Sequence, residues 1–191
     1  MSVLSSLSIL SRAILAMGRF AGFMALPLML VIVSDVVLRR WFVIGSTELQ
    51  ELEWHLNGLM VLLAIAAAFL RGAHVRIDLL RARLPLERRV LVEFLGLLLL
   101  LLPFCAALLL FGFDYASLAW LNGESSPSPG GLPHRWIIKA VLLFGIALLL
   151  LAGLLRLVST GLFLFGPAGL AARLAADEKA ALMDPHDEDR T

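Results

Sequence analysis

The residue types that most often bind haem or metal ions are few and far apart in this sequence. It contains four histidines and one cysteine. His55 lies at the edge of an apolar stretch, whereas His74, His134 and His186 lie in polar segments. A haem within a membrane needs axial ligands that face each other, and a cysteine metal site needs further thiolates beside Cys105. The pattern therefore predicts no cofactor in this chain.

Two carboxylates, Asp35 and Glu93, fall near the ends of apolar stretches and are the next candidates for chemistry. Proteolysis inside a membrane needs paired aspartates, or a nucleophile with a base, at the same depth. The sequence offers no such pair, so we expect a protein that is not an enzyme. Asp35 instead precedes Arg39 by one helical turn, and this spacing predicts an i to i+4 ion pair at the level of the lipid headgroups.

The elements that carry these residues are predicted to be membrane helices. Of the 191 residues, 60% are hydrophobic, and the mean hydropathy is +0.92. A helix needs roughly 20 apolar residues to cross a hydrocarbon core of about 30 Å. Four segments meet that requirement: 19–38, 54–70, 90–113 and 136–155. The sequence therefore predicts an all-α integral membrane protein with four transmembrane helices.

Three regions follow from this assignment. Residues 1–18 have serines between apolar residues at helical spacing and lack the basic start of a cleavable signal peptide, so we expect a retained interfacial segment. Residues 19–158 form the four-helix membrane domain. Residues 159–191 contain a break at Gly166 and Pro167, an amphipathic stretch and an acidic tail, and we expect them to lie in the cytoplasm.

An arginine-rich hinge between the second and third spans predicts the topology. It covers residues 71–89 and contains Arg71, Arg76, Arg81, Arg83, Arg88 and Arg89. By the positive-inside rule this hinge is cytoplasmic, which also places both termini in the cytoplasm. Its arginines are expected to contact anionic phospholipid. The net charge of only +1 gives no reason to expect a nucleic-acid partner.

Polar and breaking residues mark the ends and bends of the spans. Thr47, followed by Glu48 and Gln50, predicts a helix start that continues through Trp54 into the second span. Residues 122–133 (NGESSPSPGGLP) predict an irregular loop, with Pro133 in the first turn of the fourth helix.

Three side chains near the predicted ends of the spans could anchor or join helices. Trp136 is expected at the membrane interface, with Lys139 snorkelling outward from one turn deeper. Asn57 is a candidate for a hydrogen bond between helices, within the chain or with a partner. Pro27 and Pro103 are expected to bend their helices.

Taken together, these motifs resemble one family of membrane subunits. The segment 74–78 (HVRID) follows a span that Glu51 and Trp54 open, and Leu132-Pro133 precedes a last span that begins with the residues from Trp136 to Lys139. This order resembles the small, DctQ-like membrane subunit of tripartite ATP-independent periplasmic (TRAP) transporters over roughly residues 19–158. Each motif is short, and their order and spacing carry the resemblance.

The resemblance implies a non-catalytic subunit of a multi-pass complex in the bacterial inner membrane. In that family a periplasmic binding protein captures an organic acid, and a large membrane subunit moves it with a sodium gradient. The small subunit braces the large one and is expected to help dock the binding protein. Sodium coupling is then expected in the large partner. The residues expected at subunit interfaces or membrane anchors are Glu51, Trp54, Asn57, His74, Arg76, Asp78, Trp136 and Lys139.

Two other functions are compatible with four apolar helices. A membrane anchor of a redox enzyme would bind haem and lose it when His55 or His74 is replaced. An autonomous channel or exporter would form a symmetric homo-oligomer with a polar stripe along one helix, and the spans show no such stripe.

Overall fold

The computed structural model of the chain describes residues 2–73 and 84–166. These residues form helices and connecting turns, without a β-strand. The helices are α1 (Ser2–Phe23), α2 (Ala25–Trp41), α3 (Thr47–Leu70), α4 (Leu86–Gly96), a π-helical segment (Leu97–Leu101), α5 (Leu102–Leu121) and α6 (Trp136–Phe165). The expectation of an all-helical chain is confirmed for this part of the sequence.

Within residues 2–73 and 84–166, four stretches are long and apolar enough to cross a membrane: Leu7–Trp41, Thr47–Leu70, Leu86–Leu121 and Trp136–Phe165. They follow the order of the four predicted spans, and each is longer than the predicted one. The first stretch includes part of the segment for which we expected an interfacial position, and that position stays a prediction. The topology also stays a prediction, because the lengths and hydropathies of the helices do not give the sides of the membrane. Most of the predicted hinge (74–83) and most of the predicted C-terminal segment (167–191) lie outside the described residues.

Local sequence explains several helix boundaries. Met24 separates α1 from α2, and Pro27 lies in the first turn of α2, where its missing N–H is tolerated. The hydroxyl of Ser46 caps α3 by accepting from the Leu49 N–H at 3.3 Å. The predicted helix start at Thr47 is therefore confirmed. The π-helical segment ends two residues before Pro103, a residue that cannot donate a helical hydrogen bond.

One boundary prediction is wrong. Pro133 does not lie in the first turn of the fourth helix, because α6 begins at Trp136. His134 has a φ of 62°, and this left-handed conformation prevents the helix from extending back to Pro133. The N–H of Ile137 then donates to the His134 carbonyl at 3.0 Å and closes the first turn.

The described residues fall into two compact units, one of residues 2–73 with 103–152 and one of residues 84–102 with 153–166. In the first unit, α3 packs against α1 and α2. A Cβ atom at Gly18 of α1 would lie 2.3 Å from the Cβ of Ala67, so these two backbones approach as closely as small residues permit. Likewise, a Cβ atom at Gly145 of α6 would lie 2.7 Å from the Leu62 carbonyl oxygen of α3.

In the second unit, α4 packs against the C-terminal part of α6. Arg156 Nε donates to Glu93 Oε1 at 2.7 Å, and the rings of Phe94 and Phe165 meet edge to face. This ion pair with Arg156 explains how a carboxylate at Glu93 is tolerated within a membrane helix.

Candidate functional site: a loop fastened to helix α3

The loop between α5 and α6 is fastened to the first turns of α3 by one carboxylate. Glu51 is buried on α3. Its Oε2 accepts a 2.7 Å hydrogen bond from the N–H of Leu132, and its Oε1 accepts from the hydroxyl of Ser126. Both carboxylate oxygens therefore have donors from the loop. We call residues 122–135, together with Glu51, the fastened loop.

Hydrogen bonds within the loop complete this arrangement. The N–H of Ser126 donates to the Leu132 carbonyl at 3.1 Å, and the N–H of Arg135 donates to the Glu124 carbonyl at 3.0 Å. A Cβ atom at Gly131 would lie 2.4 Å from the Ser126 side chain and 3.0 Å from Glu51 Oε1. Only glycine therefore permits the loop to approach the carboxylate this closely.

A buried cation joins the same loop to α5 and α6. Lys139 on α6 is buried, and its Nζ lies 2.5 Å from Glu124 Oε2. The same Nζ lies 3.6 Å from the centre of the Tyr115 ring on α5, a distance suited to a cation–π interaction. The ammonium group of Lys139 is covered by protein and is neutralised by Glu124, a residue of the loop that precedes α6. Its outward snorkelling in a membrane stays a prediction.

Two tryptophans close the end of the α5–α6 pair. The rings of Trp120 and Trp136 are 4.5 Å apart and nearly perpendicular, which is a favourable edge-to-face geometry. Trp136 is half-buried by this contact. Its predicted position at the membrane interface stays untested, but the structure gives it a packing role that the sequence did not indicate.

The other interface residues predicted from the sequence are not part of the fastened loop. Trp54 is 71% exposed on α3. Asn57 lies one turn further along α3, is also exposed, and makes no side-chain hydrogen bond to the described residues. His74, Arg76 and Asp78 lie outside the described residues.

Asp35 is buried on α2, and its Oδ2 pairs with Arg39, so the predicted i to i+4 ion pair is confirmed. The other oxygen, Oδ1, is buried without a hydrogen-bond partner among the described residues. The pair thus neutralises the carboxylate but satisfies only one of its oxygens.

No grouping of three or more histidine, cysteine, aspartate or glutamate side chains suited to a metal ion occurs within residues 2–73 and 84–166. His55 Nδ1 lies 2.6 Å from the carbonyl oxygen of Glu51, one turn earlier on α3. The polar contacts described for the fastened loop are hydrogen bonds and ion pairs that hold segments of the chain together.

A comparison with protein families identifies this architecture. The family described as tripartite ATP-independent periplasmic transporters, DctQ component, matches residues 28–161, which is more than half of the chain. The chain belongs to the DctQ family. A search of curated protein sequences finds no match.

Membership in the DctQ family makes this chain the small subunit of a TRAP transporter. The family is a component of a transporter and is not a family of enzymes. The tripartite system implies a large permease and a periplasmic binding protein as partners. The matched region includes α3, the fastened loop and most of α6, so the contacts of Glu51 and Lys139 lie within the family domain.

The sequence indicates roles for Glu51, Trp136 and Lys139 but not for the residues that contact them. Ser126 and Glu124 belong to the predicted irregular loop, and Tyr115 lies beyond the predicted end of the third span. One signal was available: Glu124 and Lys139 are opposite charges on the two sides of a loop rich in proline and glycine. Such a loop brings its two ends together, so an ion pair between them is a reasonable expectation.

Proposed function

We propose that this DctQ subunit is a static scaffold in a sodium-coupled TRAP transporter that imports an organic acid across the bacterial inner membrane. The large permease binds sodium and moves the substrate. The small subunit braces the permease against the bilayer while its transport domain slides. Substrate specificity then belongs to the permease and to the binding protein.

This proposal rests on one observation: charged side chains form hydrogen bonds and ion pairs that join separate segments of the chain. Glu51 binds the loop, Lys139 binds Glu124, and Arg156 binds Glu93. The contacts of Glu51 and Arg156 join segments 81 and 63 positions apart, and the contact of Lys139 joins α6 to the loop that precedes it. Charged groups used in this way fix the backbone, and rigid positioning is what a scaffold has to supply.

The predicted orientation of the chain also suggests a role for the fastened loop. Arg71, Arg88 and the other hinge arginines favour a cytoplasmic hinge, because the positive-inside rule counts basic residues in short loops. His74, Arg76 and Asp78 belong to this hinge, and we propose that Arg76 anchors it to anionic phospholipid headgroups while His74 and Asp78 are subunit-interface residues. The fastened loop lies on the periplasmic side in this orientation, where it helps to dock the binding protein.

Co-purification and transport test the scaffold role. The tagged chain is isolated from its native membrane in mild detergent, and its partners are identified by mass spectrometry. We expect stoichiometric recovery of a large multi-span permease, and sodium-dependent uptake of an organic acid when the binding protein is added to proteoliposomes. Recovery of a redox subunit, or of the chain alone, would contradict the proposal.

Labelling tests the orientation and the docking role. Ser128 is exposed in the fastened loop, and Cys105 is buried and can be replaced by alanine. We expect a membrane-impermeant maleimide to label Ser128→Cys in intact spheroplasts. A bulky label at that position should raise the concentration of binding protein that gives half-maximal uptake. Labelling only after the membrane is opened would reverse the topology, and unchanged uptake would exclude docking at this loop.

A further inference from the structure

One face of α3 is exposed and carries a polar residue between two large apolar ones. Trp54 is 71% exposed and Val61 is 51% exposed, and Asn57 lies between them and is also exposed. Spacings of three and four residues place all three on one side of a helix. The packing contacts of α3 are made by other positions, such as Leu62 and Ala67. We call Trp54, Asn57 and Val61 the α3 stripe.

Asn57 falls inside the second span on either estimate of where that span begins. The last residue of α3 is Leu70, and a span of about 20 residues counted back from it begins at Glu51. At about 1.5 Å per residue, Asn57 then lies roughly 9 Å inside the boundary, and a span that begins at residue 54, as the sequence predicts, places it roughly 4.5 Å inside. Trp54 lies closer to that boundary, where tryptophan is favoured.

The carboxamide of Asn57 differs from the serine hydroxyls on these helices. The hydroxyl of Ser34 donates to the Leu30 carbonyl at 2.8 Å, and the hydroxyl of Ser117 donates to the Asp114 carbonyl at 3.0 Å. Such hydroxyls need no partner outside their own helix. Asn57 has two N–H donors and an acceptor oxygen, and none of them bonds to the described residues. Lipid tails cannot supply hydrogen bonds, so an amide exposed to them is unfavourable.

We propose that the α3 stripe is the docking face for a transmembrane helix of the large permease, which supplies a hydrogen-bonding group opposite Asn57. This inference rests on the proposed function, because it takes the permease as the partner. A protein helix can present a serine, threonine, asparagine or backbone oxygen at that depth, whereas lipid cannot. Trp54 and Val61 on either side supply the apolar contact that excludes water and lipid from the bond.

The exposed face of α2 has the opposite character and serves as the comparison surface. Met29, Leu30 and Val33 are between 58% and 69% exposed. Large aliphatic side chains of this kind suit contact with lipid tails, so α2 is assigned to the bilayer. The exposed face of α5 near Leu110, which is 71% exposed, is a second comparison surface. Its exposed polar residue, Asp114, follows residue 113, the predicted end of the third span, so its carboxylate can reach water.

Site-specific photo-crosslinking in native membranes locates the permease. A benzophenone amino acid is placed at Val61, Leu30 or Leu110 of the full chain, and products are identified by mass spectrometry. We expect an adduct with the large permease from Val61 and none from Leu30 or Leu110. Permease adducts from Leu30 or Leu110 alone, adducts between two copies of this chain at Val61, or no adduct at Val61 would overturn the proposal.

The Asn57→Leu variant tests the hydrogen bond itself. Leucine keeps a similar volume and is compatible with lipid, so the chain should still insert and fold. Single hydrogen bonds between membrane helices suggest a loss of roughly three- to twentyfold in affinity for the permease. The matched control, Ser34→Ala, removes an exposed hydroxyl that is satisfied within α2 and should leave permease recovery unchanged. Equal recovery with Asn57→Leu and with the wild-type chain would contradict the proposal.

These results separate the docking face from the proposed function. If the wild-type chain recovers the permease but Val61 gives no adduct, the scaffold role stands and the docking face is wrong. If the wild-type chain recovers no permease, the proposed function fails first.

Discussion

The backbone N–H of Leu132 donates a 2.7 Å hydrogen bond to the carboxylate of Glu51, a residue 81 positions earlier in the chain. The second oxygen of the same carboxylate accepts from the hydroxyl of Ser126. Two donors from one loop thus converge on a single buried side chain of α3. This convergence makes Glu51 the residue on which the conformation of the loop depends.

Replacement of Glu51 by glutamine should release the loop. The amide keeps the size of the side chain but turns one acceptor into a donor, which then faces another donor. We expect a severalfold faster cleavage of the chain within residues 122–135 by a broad-specificity protease in detergent. Glu48→Gln is the control, because Glu48 is exposed in the first turn of the same helix. Equal cleavage of the two variants would show that Glu51 does not hold the loop.

The helices could be predicted from the sequence more completely than the contacts at their ends. Hydropathy locates a span because about 20 consecutive residues share one property, and Thr47 followed by Glu48 and Gln50 predicts where α3 begins. Hydropathy does not give the partner of Lys139, and the opposite charge of Glu124 across the loop makes it only a candidate. Whether Glu124 reaches Lys139 depends on the path of an irregular loop, and that path depends on a hydrogen bond to α3, which is distant in sequence. The same holds for Asn57. Helical periodicity predicts which residues share its side of α3, but not which helices pack against that side.

The Lys139→Met variant should destabilise the α5–α6 end of the chain. Methionine keeps the apolar stem but removes both the ion pair with Glu124 and the cation–π contact with Tyr115. We expect a loss of about 1–3 kcal/mol in the free energy of unfolding, because the cation–π contact with Tyr115 is lost and the partly covered carboxylate of Glu124 has no cation beside it. Thermal unfolding in detergent, followed by circular dichroism, provides the measurement.

Lys139→Arg is the matched control for that experiment. Arginine keeps the charge and also stacks on aromatic rings, so most of the stability should return. If both variants unfold at the wild-type temperature, the contacts of Lys139 contribute nothing measurable.

The Gly145→Ala variant should separate α3 from α6. The new Cβ would lie 2.7 Å from the Leu62 carbonyl oxygen and 2.9 Å from the Leu62 Cβ, and neither atom can rotate away. Overpacking of this kind costs about 1–3 kcal/mol. We expect a lower unfolding temperature in detergent and a lower yield of the complex with the permease.

Gly112→Ala is the control for this close approach. Its Cβ would lie 2.8 Å from Leu143 Cδ2, the end of a flexible side chain that can move aside. Alanine also favours a helix over glycine by about 1 kcal/mol, so this variant should be nearly neutral. A loss at Gly112 equal to that at Gly145 would mean that the α3–α6 contact has no special rigidity.

The ion pair of Asp35 and Arg39 should respond unequally to loss of its two members. Asp35 is buried and has one unpartnered oxygen, whereas the Arg39 side chain is 54% exposed. Arg39→Met leaves a buried carboxylate without its cation, which should cost about 1–3 kcal/mol or more. Asp35→Leu removes the carboxylate together with its unsatisfied oxygen and leaves an arginine that can reach water. We therefore expect Asp35→Leu to be much less harmful, and the double variant to be about as stable as Asp35→Leu alone.

Unfolding temperatures of the wild-type chain, the two single variants and the double variant in one detergent form a double-mutant cycle. If the two single variants lose equal stability, the Asp35 carboxylate stabilises the chain by its own contacts. Its burial with one unpartnered oxygen is then not a net cost to stability.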